Sequence, residues 1–122
     1  MSGGIQSYKD LKIWQKGISL VKLIYESCES FPKEEVYGLT SQIKRSSISI
    51  PSNIAEGWGR HSTQSYSHFL KIARGSLMEL ETQIIIAKEL GFVSELRYNK
   101  IIDLITEESK MLNAFIKSVS EK

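Results

Sequence analysis

The stretch from Gly38 to Arg60, GLTSQIKRSSISIPSNIAEGWGR, decides how this chain folds. Leu39, Ile43, Ile50 and Ile54 recur at steps of three, four and seven, which places them on one face of a 3.6-residue helix. The apolar series skips where Ser46 and Ser47 stand, and Pro51 lies inside the run. A proline there removes one backbone donor and crowds the carbonyl of Ser47, so it either kinks the helix or splits it. Ser46, Ser47, Ser49, Ser52 and Asn53 either re-satisfy the freed carbonyls or mark a break. Local preference and global pattern disagree here, as they tend to at tightly packed or functional sites.

Upstream, the spacing predicts a first helix from Asp10, a good N-cap, to about Ser30. Leu11, Trp14, Ile18, Val21, Tyr25 and Cys28 form one stripe, and Ile13, Leu20, Ile24 and Phe31 run beside it. Two adjacent stripes make a face wide enough for two neighbouring helices, or for one helix and a second subunit. Gly17, a poor helix former in mid-run, points to close helix approach. Pro32 pushes Phe31 out of helical geometry and ends the helix. The second helix then begins between Lys33 and Leu39, extends to about Glu56 and stops at Gly57-Trp58-Gly59. The glycines there permit a left-handed C-terminal turn, and Trp58 is placed to staple the helix end to the core.

Downstream, Ser62 or Thr63 caps a third helix running to about Leu90. Its seam is Tyr66, Phe69/Leu70, Ala73, Leu77, Leu80, Ile84 and Ala87, and Ile72, Ile85 and Ile86 are expected to widen it. Gly91 stops it, and Ser94 with Glu95 opens a fourth helix carrying Tyr98, Ile101/Ile102, Ile105, Leu112, Phe115/Ile116 and Val119. No strand-like alternation, repeat or low-complexity tract occurs. Short connections make successive helices antiparallel neighbours, so the expected fold is all-α, an antiparallel up-down-up-down four-helix bundle. It forms a single domain over residues 1–122, with residues 1–7 expected to be flexible.

Hydrophobic content of 41% and charged content of 25% are those of a globular chain. The single cysteine, Cys28, excludes an intramolecular disulfide and reads as a small buried hydrophobe. No apolar run is long enough to cross a bilayer, and the N-terminus lacks the pattern of a signal peptide, so the expected location is cytoplasmic with no membrane partner. The formal net charge is only +2, but it is unevenly spread. Residues 41–75 hold Lys44, Arg45, Arg60, Lys71 and Arg74 against the single acid Glu56, whereas the last third is net acidic.

No residue set announces a reaction. His61 and His68, two helical turns apart, sit roughly 10 Å from each other, too far to share one ion. Glu-x-x-His pairs are missing, as are a nucleophile elbow, a phosphate-cradling glycine loop and a Cys-His pairing. The expectation is therefore no enzyme, no catalytic residue, no metal and no cofactor. Glu56 is read as the partner of Arg60 or of Arg74, in a partly buried ion pair. Lys44, Arg45, Arg60, His61, Lys71 and Arg74 could converge on phosphate, with Tyr66 and Trp58 available to stack on bases; a solvated face explains them equally well. The spare apolar positions on the first and fourth helices suggest an oligomer, or ordinary core.

The order YKDLKIWQKG, FPKEEVYGLTSQIKRSSISIPSNIAEGWGR and SHFLKIARGSLMELETQI, followed by a last amphipathic helix, resembles the four-helix-bundle family of 23S rRNA intervening-sequence proteins. The likeness runs from about Tyr8 to Val119, with SIPSNIAEG and ARGSLMELET its specific segments. It implies a bundle and a homopentameric barrel. Related accessory proteins of diversity-generating retroelements work with a reverse transcriptase and bind nucleic acid through a basic surface. No enzymatic activity travels with the family. Arg45, Asn53, Glu56, Arg74 and Glu79 look like its polar signature.

Two functional expectations follow. In the first, a homo-oligomer, a pentamer by resemblance, binds structured RNA or DNA through Lys44, Arg45, Arg60, Lys71 and Arg74. Asn53, Glu56 and Glu79 then belong to a structural polar network between the second and third helices or across a subunit seam. In the second, the chain is a protein-interaction scaffold or an accessory subunit, for example to a reverse transcriptase, and its polar residues are purely structural.

Overall fold

The computed structural model describes residues 4–121. Four α-helices follow one another: α1 (Lys12–Cys28), α2 (Leu39–Trp58), α3 (Thr63–Glu89) and α4 (Glu95–Ser120). Each packs closely on two neighbours, α1 on α2 and α4, and α3 on α2 and α4. This is the expected up-down-up-down bundle. Short 3-10 turns precede α1 (Tyr8–Asp10) and α2 (Lys33–Glu35).

The helix ends show which local signals prevailed. Ser62 Oγ accepts from Ser65 N–H at 3.0 Å and Ser94 Oγ from Arg97 N–H at 3.1 Å, so α3 and α4 start at hydroxyl caps. Asp10 does not cap α1. Its carboxylate accepts from the N–H groups of Gln6 and Ser7 and closes a capping box on the preceding 3-10 turn, and α1 begins two residues later. The expected flexibility of residues 1–7 falls partly on residues 1–3, outside the described residues. Nor does α2 end in a left-handed turn: Gly59 has φ −76°, and Arg60 N–H bonds Gly57 C=O at 3.1 Å. Among the described residues only Gly91 has positive φ, at 80°, where it terminates α3.

α2 runs unbroken through Pro51. The proline ring is buried in a notch that Gly17 leaves on α1. A Cβ at Gly17 would lie 3.4 Å from Pro51 Cβ and 3.5 Å from Glu108 Oε2. The interruption in the apolar series has the same cause: Ser46 and Ser47 are buried, small where α2 faces its neighbours, and Ser47 Oγ returns its hydrogen bond to Lys44 C=O. On α1 the core line is Ile13, Gly17, Leu20 and Ile24, joined at its end by Cys28 of the other stripe, while Ile18 and Tyr25 of that stripe stay exposed on its flank.

At the far end of α2, a Cβ at Gly57 would stand 2.9 Å from Tyr66 Cδ1 and 3.0 Å from Phe69 Cβ. Trp58, Tyr66 and Phe115 continue that contact as a chain of edge-on rings at 6.4 and 5.8 Å, so Trp58 does staple the helix end. The two glycines therefore differ. Gly57→Ala drives a methyl into α3 and should cost about 1–3 kcal/mol in urea unfolding. Gly17→Ala adds a methyl at ordinary contact distance and should stay within about 1 kcal/mol of the parent.

Candidate functional site

The five basic residues do not converge. From Lys44 to Arg60 the α2 axis advances roughly 24 Å. Arg60 is committed locally: its guanidinium lies 2.6 Å from Glu56 Oε2, four residues earlier, and stacks 4.6 Å from the Phe69 ring centre. That ion pair is exposed rather than partly buried, and it leaves Arg74 to donate to Asn113 Oδ1 on α4 at 3.1 Å. Lys71 lies exposed beside Ser67, His68 and Ser120 on the α3–α4 side. Tyr66 and Trp58, expected to stack on bases, are half-buried in the aromatic chain, and the Tyr66 hydroxyl is buried with its pKa pushed up to about 12 by desolvation.

What does come together lies at the N-terminal half of α2. Lys44 and Arg45 share a groove with Tyr25, Val36, Tyr37 and Ile48. Lys44 Nζ sits 4.6 Å from the Tyr25 ring centre, and the Tyr37 side chain is 96% exposed. Arg45 is exposed and forms no ion pair among the described residues. Arg45 and Tyr37 also border a second cleft of about 480 Å³ between α2 and α3, which reaches Ser46, Glu79 and Gln83. Cys28 is buried, and desolvation raises its thiol despite the nearby Lys44.

The polar network is smaller than expected. Asn53 Nδ2 donates to Ser49 C=O at 2.8 Å and to Ser49 Oγ at 2.9 Å, and Ser49 Oγ pairs with Ser76 Oγ of α3 at 2.8 Å. This chain of hydroxyls and amide ties α2 to α3. Glu56 is outside it, spent on Arg60, and Glu79 faces the second cleft with no ion pair among the described residues.

Two residues of consequence escaped the sequence reading. Glu108 on α4 is 0% exposed, and neither carboxylate oxygen has a hydrogen-bond partner. Burial raises its pKa to about 8, with the Lys16 charge acting the other way. Lys16 itself is engaged with Glu107 at 2.6 Å. The signal was the gap between Ile105 and Leu112: Glu108 takes the seam position where an apolar residue belongs. Gln83, 6% exposed beside Ile84, holds a buried Oε1 without a partner. Its position on the flank of the α3 seam carries no such signal. No group of three or more His, Cys, Asp or Glu gathers to hold a metal among the described residues, and no helix there is long and apolar enough to cross a membrane.

The family model described as 23S rRNA-intervening sequence protein matches residues 9–114. Among solved structures, a protein of unknown function from the S23 ribosomal protein family of Bacteroides thetaiotaomicron VPI-5482 superposes with a TM-score of 0.78. The match spans 86% of this chain and 95% of that one at 24% identity, a likeness of fold. No curated protein matches the sequence.

Glu108 sets a pH dependence whose sign follows from its raised pKa. The folded state keeps its proton up to about pH 8, whereas the unfolded carboxyl releases it near pH 4.5. The stability this group permits is complete below 4.5 and falls as pH rises toward 8, by about 1.4 kcal/mol per pH unit. Urea unfolding between pH 5 and 9 should show that decline in the parent and a much flatter curve in Glu108→Gln. Equal slopes would show that the carboxyl is already ionised in the fold.

Proposed function

The chain belongs to the 23S rRNA-intervening sequence protein family, and we propose that it is a non-enzymatic homo-oligomer binding structured RNA or DNA, with its main contacts at the N-terminal half of α2. The observation that carries this reading is the cluster of Lys44 and Arg45 with the exposed rings of Tyr25 and Tyr37. Cations beside aromatic faces suit a nucleic-acid strand: the cations take phosphate and the rings take unstacked bases. An unpaired guanidinium such as that of Arg45 offers a two-pronged match to phosphate that no carboxylate has claimed. Both the family's name and the S23 ribosomal protein family of the structural neighbour favour RNA.

One copy presents a modest positive field, and repetition around an oligomer strengthens it. The support for assembly has shifted from α1 and α4 to α3. Its outer side exposes Ile72, Met78, Ile85 and Ile86, while Leu96 is the one large apolar side chain strongly exposed on α4 among the described residues. Gly75 lies on the same exposed stretch with no atom within 4 Å of its would-be Cβ. A mid-helix glycine costs about 1 kcal/mol against alanine, and no contact among the described residues requires it. A neighbouring subunit's helix approaching closely would. A pentamer follows from the family resemblance.

A second reading, an accessory subunit for another protein, has one observation of its own. A predominantly apolar groove of about 550 Å³ runs between the N-terminal segment, α1 and α4, floored by Leu11, Ile13, Met111 and Phe115. It would hold a partner's hydrophobic segment.

Two experiments test the proposal. In a salt series with labelled structured RNA, the Lys44→Ala/Arg45→Ala double variant should bind more weakly and lose about two from the slope of log affinity against log salt. Arg60→Ala, whose guanidinium is already paired, should change far less. Parent-like affinity in the double variant would remove this surface from the site, and absence of binding at low salt would move the search to protein partners. Met78→Glu/Ile85→Glu should lower the mass measured by light scattering without lowering helix content. An unchanged mass would place the subunit contact elsewhere.

A further inference from the structure

The cleft between the first half of α2 and the second half of α3 has a hydrogen-bonding pattern that the bundle itself does not use. Three groups bordering it lack partners. Gln83 is nine-tenths buried, and its Oε1 accepts nothing. Glu79 offers a carboxylate with no cation beside it, and Arg45 offers a guanidinium with no anion beside it, among the described residues. Arg45 and Glu79 border the same opening without pairing with each other. The Ser49–Ser76 hydroxyl pair is satisfied internally and fixes the two helices at that level. Tyr37, almost fully exposed, stands at the mouth.

Gln83 lines the cleft while its Oε1 is buried without a donor, so an amide turned toward the opening would gain an N–H from a ligand. Phosphate alone does not suit the cleft. It brings no donor for Gln83 Oε1, and the Glu79 carboxylate repels it. An occupant must offer at least two N–H donors to the pair of acceptors and an acceptor edge to Arg45. It must also be flat enough to lie on a tyrosine ring. Among the nucleobases guanine best fits all of this: N1–H and N2–H supply donors, O6 and N7 accept from an arginine fork, and the purine face stacks on an aromatic side chain. Adenine has no N1–H, and the pyrimidines present a smaller face. A volume near 480 Å³ holds a single nucleotide.

We infer that this cleft is a binding site for one unpaired guanine base, read by Glu79, Gln83 and Arg45 and stacked on Tyr37. The inference builds on the nucleic-acid reading above and adds base selectivity to it. Phosphate contacts from Lys44 bring a strand to the face, and a guanine flipped out of a loop or bulge enters the cleft beside it, where Arg45 reads its edge.

The test uses the full-length protein and fluorescently labelled pentanucleotides UUGUU, UUAUU, UUCUU and UUUUU, with guanosine 5′-monophosphate and inorganic phosphate as competitors. UUGUU should bind about tenfold more tightly than the other three, since one well-matched base contact discriminates by roughly that factor. Guanosine 5′-monophosphate should displace it and inorganic phosphate should not. Glu79→Gln, a change on an exposed side chain, should erase the preference while the affinity for duplex RNA is kept or slightly raised, because a carboxylate that repels phosphate is gone. Gln83→Met, checked for parental stability by urea unfolding, should weaken UUGUU alone. Equal affinity for all four oligonucleotides overturns the base site, and leaves the phosphate-contact reading standing if duplex RNA still binds. A guanine preference without duplex binding keeps the cleft and overturns the wider reading. Failure of both sets of measurements overturns both.

Discussion

The close approach of α2 to its neighbours is the constraint from which the rest of the bundle follows. On one side Pro51 occupies the notch at Gly17 of α1; on the other, Gly57 lies so near Tyr66 and Phe69 of α3 that a single methyl has no room. One to two turns before Pro51, α2 turns the buried Ser46 and Ser47 inward instead of branched apolar side chains. Small residues let helix axes come near, and close axes leave their backbones little room to slide. The hydrophobic seams of α3 and α4 then complete the core around a helix whose position is already set. The oddities of the second helix (its buried Ser46 and Ser47, Pro51 and Gly57) are thus answers to one geometric demand.

Packing α2 in this way sorts the polar groups. Some are consumed by the fold: Asn53, Ser49 and Ser76 knit α2 to α3, and Arg74 reaches α4 through Asn113. Glu56 and Arg60 neutralise each other at the surface, where such a pair adds little stability. Others remain unspent, and they gather where the first half of α2 meets α1 and the second half of α3. Arg45, Glu79 and Gln83 would satisfy a ligand better than they satisfy one another. Glu108 is a different case. It is buried among helices with nothing to bond, so the fold holds it protonated, at a cost to stability that grows with pH. A partner-less carboxyl stands at a seam position where a leucine would pack more simply.

Much of this was legible in the chain. Apolar spacing gives all four helices, Ser62 and Ser94 mark the starts of α3 and α4, and Gly91 marks the end of α3, because these signals act over a few residues through the backbone alone. The family was legible from short segments, and the match over residues 9–114 agrees with that reading. The candidate site was legible only as a list of residue types. Lys44 and Arg45 belong together, but Arg60, Lys71 and Arg74 stand on other parts of the surface. Charge counted along a sequence says nothing of azimuth around a bundle. Asp10 shows a similar limit: it is a good cap by type, but it went to a 3-10 turn that competed for the same carboxylate.

The sequence by itself determined the class of fold, the order of the helices and most of their ends, since periodicity and capping are local and additive. Tertiary structure alone decided that Pro51 is accommodated within an unbroken helix, which α1 stripe faces the core, that Glu108 is entombed, and which polar groups are left over. Each of these depends on what lies across a helix–helix contact some tens of residues away in the chain. Burial and hydrogen-bond satisfaction are properties of that contact, and no single segment encodes them.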